Sequence, residues 1–395
     1  MTLVLDRGGL PDTPVTHAFV IGCGRFPART ALNRAATAAG ARRIVQFLTE
    51  RADRFEAPVW TIELLISDPA VAAGADTGGL DLAAIAPEEA VLAAGPHDAV
   101  EHVLLAHVRE AGDRWLQRIR PGDQAFVYTS SHGISDGSDA LALCEDVLSQ
   151  RNRQWSQSIN MSTLALGLTT PLVDAAKAWV FLDACQEIVP TLLGRPTGTP
   201  GFHLLEPDPL MVTKARNSVG VAGSRVGGKA WAPTGDEPPF FTQALIEGLE
   251  NACVEAVPDI GWAVTASRLM QDLPRVAEAA LGRKGVETSV ITRFNQPLFS
   301  LLRVEAPMIP IALSTEVEAH MQNASIEVVC DDEGVEMLPF IPPPAADFVW
   351  RFRVQAHRKR TYTATATFGE NGPAYRPADF DPDPPCQFVR LRRAG

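Results

Sequence analysis

Two buried strands of this chain end in residues that can carry out covalent chemistry. The apolar run QAFVYTS leads directly into Ser131, His132 and Gly133, and the run AWVFLD leads into Ala184 and Cys185. A thiol of ordinary pKa is mostly protonated at neutral pH, and a neighbouring imidazole can accept its proton or stabilise the thiolate. The pair therefore predicts nucleophilic catalysis, with Cys185 as the nucleophile and His132 as the base.

Acyl transfer by a thiolate also needs hydrogen-bond donors aimed at the oxyanion that forms. The backbone N–H groups of Gly133 and Cys185 are the candidates, because glycine allows a close approach of the backbone. The two strand ends meet only if both strands lie in one parallel sheet, whose carboxyl edge is where open α/β sheets place their sites. We therefore expect His132 and Cys185 to face each other across adjacent strand ends.

The elements that must position these residues follow from the apolar pattern between residue 15 and about residue 305. Short, nearly continuous apolar runs alternate with longer helical stretches, which predicts an α/β fold with a mainly parallel sheet covered on both faces. Strands are predicted over residues 17–22, 59–66, 124–130, 140–144, 178–184 and 218–223, and helices over residues 30–52, 97–118, 162–176, 241–254 and 263–281.

The pattern changes after Ala306. Residues 350–354 and 361–368 alternate apolar and polar side chains, which is typical of half-buried antiparallel strands. We therefore predict three parts: an N-terminal extension over residues 1–14, an α/β domain over residues 15–306, and a small C-terminal β-sandwich over residues 307–395. The last part carries no catalytic pattern, so we expect it to bind, sense or dock.

Several stretches together resemble the caspase-like cysteine peptidases, a group that includes caspases, metacaspases, separases and bacterial relatives. VFLDACQE follows YTSSHG at a distance of about 50 residues, HAFVIGCGRF is similar to the opening of bacterial metacaspase-like domains, and FFTQAL is similar to a late helix start of the family. The resemblance implies an α/β/α sandwich with a mainly parallel sheet. It also implies a cysteine endopeptidase of bacterial type that uses His132 and Cys185.

A preference for basic substrates is expected from Asp183. Residues two apart on a strand point to the same face, so Asp183 projects on the side of Cys185, where a carboxylate would attract a guanidinium or ammonium group. The resemblance to metacaspases implies Arg or Lys as the P1 residue, and it implies a substrate-binding wall that includes Ser224 and Trp231. The alternative for Asp183 is a structural role, in which it caps a turn or anchors His132.

Composition limits the partners. Lys and Arg number 35 and Asp and Glu 47, so the net charge is −12, and an acidic surface disfavours binding to nucleic acid. No apolar run approaches the length of a membrane span, and Asp6 and Arg7 come too early for a signal peptide, so we expect a cytoplasmic protein without membrane contact. The six cysteines form no CxxC pair, and neither a metal nor another cofactor is expected.

The expected partner is a protein or peptide substrate, and a small-molecule or protein activator is a possible second one. The long segment 190–217 after the nucleophile could be a lid, an autocleavage segment or an ordinary surface loop. The resemblance also suggests a regulated effector of cell death or phage defence. Two alternatives stay open: a catalytically inactive caspase-like scaffold or regulator, and a thiol acyl hydrolase that acts on non-peptide substrates.

Overall fold

A computed structural model describes most of the chain. The described residues are 2–70, 100–136, 139–149, 155–168, 175–188, 201–205, 217–258, 260–282, 288–294, 299–330, 349–355, 361–369 and 372–394. Most of the segment 190–217, for which a lid or an autocleavage segment was considered, lies outside the described residues.

Twenty strands and five α-helices are assigned in the described residues. The strands are β1 (Leu3–Asp6), β2 (Thr16–Cys23), β3 (Val59–Ser67), β4 (Gln124–Ser130), β5 (Gly133–Ser135), β6 (Ala140–Leu143), β7 (Ser158–Asn160), β8 (Lys177–Asp183), β9 (Glu187–Ile188), β10 (Asn217–Ala222), β11 (Val254–Val257), β12 (Gly261–Thr265), β13 (Ser289–Phe294), β14 (Ser300–Val304), β15 (Met308–Thr315), β16 (Ser325–Cys330), β17 (Trp350–Gln355), β18 (Tyr362–Thr367), β19 (Ala378–Phe380) and β20 (Gln387–Leu391). The helices are α1 (Ala35–Glu50), α2 (Leu105–Arg118), α3 (Met161–Gly167), α4 (Phe240–Glu247) and α5 (Ala266–Leu281).

A seven-stranded sheet in the order β1-β3-β2-β4-β8-β10-β13 forms the centre of the fold. Its five inner strands are parallel, and the edge strands β1 and β13 are antiparallel to their neighbours. The prediction of a mainly parallel sheet is confirmed. The N-terminal stretch that we expected to be an extension contributes the edge strand β1.

The predicted strand over residues 140–144 forms, but it does not join the central sheet as that prediction implied. It is β6 of a separate four-stranded sheet in the order β7-β6-β5-β9, where it pairs antiparallel with β5. A short apolar run reports burial but does not report which sheet it enters, because periodicity contains no information on the partner strand.

Helices cover both faces of the central sheet, which gives the expected α/β/α layers. On one face Trp115 of α2 stacks on Phe19 at 5.4 Å between ring centroids, and its indole N–H donates to the His17 carbonyl at 3.1 Å. Neighbouring residues on a strand point to opposite faces. Phe19 is in register with Val127 of β4, so Phe126 lies on the other face, where its ring is in a chain of contacts that includes Phe47 of α1.

The chain divides into two compact units. The first comprises residues 1–243 and 286–301, and the second comprises residues 244–285 and 302–395. In the second unit, the sheets β17-β15-β20 and β16-β18-β19 enclose one apolar core, so the expectation of small C-terminal β-sheets is confirmed. The domain boundary at residue 306 stays a prediction, since residues 244–285 group here with the C-terminal strands. None of the helices in the described residues is both long enough and apolar enough to cross a membrane.

Candidate active site

Two parallel registers bring His132 opposite Cys185. In the central sheet β4 pairs with β8 so that Ser130 matches Asp183, and in the second sheet β5 pairs with β9 so that Ile134 matches Glu187. His132 lies between β4 and β5, and Cys185 lies between β8 and β9. Extending either register by two residues therefore matches His132 with Cys185. Both residues line one cavity of about 640 Å³.

The imidazole of His132 is held by a backbone carbonyl. Its Nε2 lies 2.7 Å from the Leu32 carbonyl oxygen, and its ring packs at 5.3 Å from the Phe26 ring. A carbonyl oxygen only accepts hydrogen bonds, so Nε2 carries the proton and Nδ1 is the basic nitrogen. Burial lowers the pKa of His132, which the Leu32 carbonyl partly opposes and the charge of Arg34 reinforces. The imidazole is therefore neutral at pH 7.

The loop that presents the Leu32 carbonyl is fixed by its own hydrogen bonds. Gly24 N–H donates to the Ser67 carbonyl at 2.7 Å, and Arg34 N–H donates to the Gly24 carbonyl at 2.8 Å. A β-carbon on Gly24 would lie 2.2 Å from the Arg34 carbonyl oxygen, so only glycine fits. Sequence reasoning missed Leu32, because a backbone carbonyl leaves no trace in the residue type.

The thiol of Cys185 contacts the backbone of Ala230. Ala230 N–H donates to Sγ at 3.3 Å, and Sγ lies 3.7 Å from the Ala230 carbonyl oxygen. Burial raises the pKa of the Cys185 thiol, and the charges of Glu187 and Asp183 raise it further. No hydrogen bond joins His132 to Cys185 among the described residues. The thiol is therefore protonated in this arrangement, and its proton has not been passed to the imidazole.

The backbone beside Cys185 is supported by the segment that follows β10. Gln186 N–H donates to the Gly228 carbonyl at 3.0 Å, and the Ser224 hydroxyl donates to the Ala184 carbonyl at 2.9 Å. Ser224 is buried and is not among the residues that line the cavity, so the structure places it behind the wall that the sequence predicted it to form. Trp231 does line the cavity, with 61% of its surface exposed.

The backbone amides of Gly133 and Cys185 are the candidate oxyanion donors. Gly133 pairs with Ala142, and the flanking hydrogen bond runs from Leu143 N–H to the His132 carbonyl. Because bonds alternate along an antiparallel ladder, the Gly133 amide points away from β6 and towards the side of β9 and Cys185. Within the described part of the chain, the Cys185 amide has no acceptor. The predicted oxyanion donors are thus on the same side of β5.

Asp183, the last residue of β8, lines the cavity although only 2% of its surface is exposed. Its Oδ2 accepts a hydrogen bond from the Thr242 backbone N–H at 3.2 Å and another from the Thr242 hydroxyl. Burial raises the pKa of Asp183 to about 7, and the hydrogen bonds from Thr242 oppose that rise. The carboxyl group is therefore partly ionised at neutral pH, and the gain from a cationic partner is correspondingly large.

Four of the five remaining thiols are more deeply buried than that of Cys185. Burial raises the pKa of Cys23, Cys144 and Cys253 well above that of an ordinary thiol, and it raises the pKa of Cys386 to about 11. Cys330 is half-buried and lies in β16, in the second unit. Across the ranges that the structure describes, no group of three or more His, Cys, Asp or Glu side chains is arranged to hold a metal ion.

Comparison with known proteins gives a family match over most of the first unit. The family model of the caspase domain matches residues 15–270. Among solved structures, the chain is similar to protein GSU0716 from Geobacter sulfurreducens, with 14% sequence identity, a TM-score of 0.40, and coverage of 73% of this chain and 98% of that chain. No curated protein matches the chain.

Proposed function

The chain belongs to the caspase domain family of cysteine peptidases, and we propose that it is an endopeptidase with Cys185 as the nucleophile and His132 as the base. The observation that carries the proposal is the matched pair of registers, which puts the two side chains opposite each other on one cavity. The second observation in its support is the Leu32 carbonyl, which holds the proton of His132 on Nε2.

The proposed reaction begins with transfer of the thiol proton from Cys185 to Nδ1 of His132. The thiolate sulfur attacks the carbonyl carbon of the scissile peptide bond, and the electron pair moves to the carbonyl oxygen, where the amides of Gly133 and Cys185 donate to it. Collapse of this intermediate breaks the C–N bond, and the leaving amine takes the proton from the imidazolium. A water molecule, deprotonated by Nδ1, then hydrolyses the thioester and restores the thiol.

The contacts of the free protein imply a rearrangement before this reaction. The Cys185 sulfur rests on Ala230, and its raised pKa keeps it protonated. Catalytic hydrogen bonds are often long or poorly aligned without substrate, and they tighten in the complex. In the proposed mechanism a bound peptide displaces the thiol from the Ala230 backbone and turns it towards His132.

The proposed preference is for Arg or Lys at P1. Asp183 supports it, because a buried carboxyl group that lines the cavity would be stabilised as a carboxylate by a cationic side chain. An arginine side chain can form two parallel hydrogen bonds to a carboxylate, which a neutral side chain cannot match. Trp231, which lines the same cavity and directly follows Ala230, is the proposed apolar wall for the substrate.

Fluorogenic peptides with Arg, Lys, Asp or Leu at P1 test the proposal. The wild-type protein is expected to cleave the Arg and Lys peptides, and Cys185→Ala is expected to cleave none. Absence of turnover for all four peptides would favour an inactive scaffold or regulator. Turnover of thioesters or esters without turnover of peptides would favour a thiol acyl hydrolase on non-peptide substrates.

The wider role follows only from the resemblance. We propose a regulated effector, for example in cell death or phage defence in the cytoplasm of a bacterium. Controlled expression of wild type and Cys185→Ala in bacterial cells tests it: wild type is expected to reduce survival when activated, and the variant is expected not to. If cells with wild type and cells with Cys185→Ala survive equally well, both with and without phage challenge, the proposed role is wrong. That result would not bear on the proposed peptidase activity.

A further inference from the structure

A chain of two buried hydroxyl groups ends on the carboxylate of Asp183. The hydroxyl of Tyr128, from β4, is hydrogen-bonded to Oγ1 of Thr242, in the first turn of α4, and Thr242 Oγ1 is hydrogen-bonded to Oδ2 of Asp183. Tyr128 and Thr242 have no exposed surface. Bulk water therefore does not reach either hydroxyl group.

The direction of these hydrogen bonds depends on the charge of Asp183. A hydroxyl group has a single proton to donate. When Asp183 is ionised, Thr242 donates to Oδ2, and Tyr128 must then donate to Thr242. The ionised state thus uses both hydroxyl protons. The Thr242 backbone N–H is a third donor, and it also donates to Oδ2 of Asp183.

Both hydrogen bonds that Thr242 donates to Asp183 end on Oδ2, and Tyr128 donates in turn to Thr242, so the other carboxylate oxygen is left for a ligand. Among the described residues no donor contacts Oδ1 of Asp183, although Asp183 lines the cavity. The two oxygens are therefore distinguished by the fold, because Oδ2 faces the hydroxyl chain and Oδ1 does not.

Helix α1 closes the hydroxyl chain from outside. A β-carbon on Gly40 would lie 2.8 Å from the Tyr128 hydroxyl oxygen and 3.2 Å from Thr242 Oγ1. The glycine lets the helix backbone pack directly on both hydroxyl groups. The arrangement is therefore packed closely enough to hold the carboxylate in one orientation.

Few other titratable groups surround Asp183. Tyr128 from β4 and Cys185 from the turn after β8 interact with it directly. The other titratable and charged side chains that line the same cavity are His132, Arg34 and Asp236.

We propose that Thr242 and Tyr128 are positioning residues that hold Oδ2 of Asp183, so that Oδ1 is presented to a cationic P1 side chain. The inference rests on the proposed function, and it assigns the preference for Arg and Lys to a three-residue unit instead of to Asp183 alone. Neither hydroxyl group touches the substrate, and both act through the carboxylate.

The test compares kcat/KM for an arginine peptide and for its citrulline analogue, a neutral side chain of the same shape, between pH 5.5 and 9. Tyr128→Phe and Thr242→Val are each expected to lower kcat/KM for the arginine peptide about tenfold at pH 7. The deficit is expected to shrink towards pH 9, because loss of a donor makes ionisation of Asp183 harder and alkaline pH restores it. Thr242→Ser, which keeps the hydroxyl, is expected to behave like wild type.

A matched control is available on the same strand as Tyr128. The hydroxyl of Thr129 is buried and has no hydrogen-bond partner among the described residues, so Thr129→Val is expected to leave both peptides unaffected. The rate of Cys185 alkylation by iodoacetamide reports whether the site is intact independently of P1. It is expected to stay within about twofold of wild type in all variants.

The outcomes separate the two proposals. If wild type does not prefer arginine over citrulline, the proposed basic specificity is wrong, and this inference is wrong with it. If wild type prefers arginine but Tyr128→Phe and Thr242→Val keep the same preference and pH profile, only the inference is overturned. An equal loss for both peptides at every pH would show that the hydroxyl groups serve packing alone, and that outcome too would overturn it. If Thr242→Val also loses alkylation, its site is no longer intact, and the preference for arginine is compared between Thr242→Ser and Tyr128→Phe instead. An equal preference in these two variants would overturn the inference.

Discussion

Gly133 packs directly against the carbonyl group of Cys185. A β-carbon at position 133 would lie 2.3 Å from that oxygen and 2.8 Å from the Ala184 β-carbon. The obstacle at 2.3 Å is backbone, so it cannot rotate away as a flexible side chain would. The backbone next to the nucleophile therefore has its position only because residue 133 is glycine.

Gly133→Ala is predicted to lower kcat by about 100-fold or more, the range seen when a single oxyanion donor is lost. The added methyl group must displace either the Cys185 carbonyl or β5, which moves both candidate oxyanion amides. The matched control is Gly9→Ala, where a β-carbon would have nothing within 4 Å. Steady-state kinetics and circular dichroism of both variants check the prediction, and a fully active Gly133→Ala would show that the close packing of residue 133 on the Cys185 carbonyl is not needed for catalysis.

Replacing Cys185 or His132 with Ala is predicted to abolish peptidase activity and to change the free energy of unfolding by no more than about 1 kcal/mol. Both side chains line the cavity, so truncation removes mainly contacts at its surface, together with the packing of the His132 ring on Phe26. Cys330→Ala, at the other partly exposed cysteine, is the control and should stay active. Wild-type turnover from Cys185→Ala would refute the assignment of the nucleophile.

Asp183→Asn is predicted to lower kcat/KM for arginine peptides by about 2 kcal/mol or more, the range for a hydrogen bond to a charged group. A neutral P1 side chain should be affected much less, since it gains little from the carboxylate. Asp236→Asn removes an exposed carboxylate from the same cavity and should cost less than about threefold, because solvent screens that charge. Equal kinetics for Asp183→Asn and wild type would make Asp183 structural.

Asp183→Asn is also predicted to raise the free energy of unfolding, compared with wild type, more at alkaline pH than at acidic pH. Burial raises the pKa of Asp183 from 3.8 to about 7, so folding favours its protonated form. The stability from this group is present below about pH 4 and is lost as the pH rises to about 7. Urea unfolding at pH 5 and pH 8 should show Asp183→Asn gaining about 2 kcal/mol on wild type between the two values. Parallel pH dependence of the two proteins would contradict the raised pKa.

Alkylation of Cys185 by iodoacetamide is predicted to accelerate with pH throughout the range from 6 to 9, with no plateau at acidic pH. The thiol pKa is raised by burial, and no hydrogen bond links the thiol to His132 among the described residues, so there is no preformed thiolate–imidazolium pair. His132→Ala should leave the profile of the free protein nearly unchanged. A rate that is already constant between pH 5 and 7 would instead reveal a thiolate paired with the imidazole.

The central sheet and the approach of His132 to Cys185 could be predicted from the sequence. Continuous apolar runs identify strands buried on both faces, and parallel strands carry their following residues to the same edge. These are local patterns, and each can be read from a few consecutive residues. For the same reason the alternation over residues 350–354 and 361–368 was enough to predict β17 and β18.

The partners of those elements were decided only by the tertiary structure. The run over residues 140–144 has the pattern of a buried strand in either sheet, and long-range pairing with β5 decides which sheet it joins. Leu32 contributes a carbonyl oxygen that every residue type possesses, so its contact with His132 depends on the path of a loop 100 residues away in the chain. The Ser224 hydroxyl donates to the Ala184 carbonyl, and the Thr242 hydroxyl donates to Asp183. Both hydrogen bonds form because the segment after β10 and the first turn of α4 pack on the strand ends. Sequence patterns report which faces are buried, whereas the hydrogen bonds of this site join residues far apart in the chain and depend on three-dimensional packing.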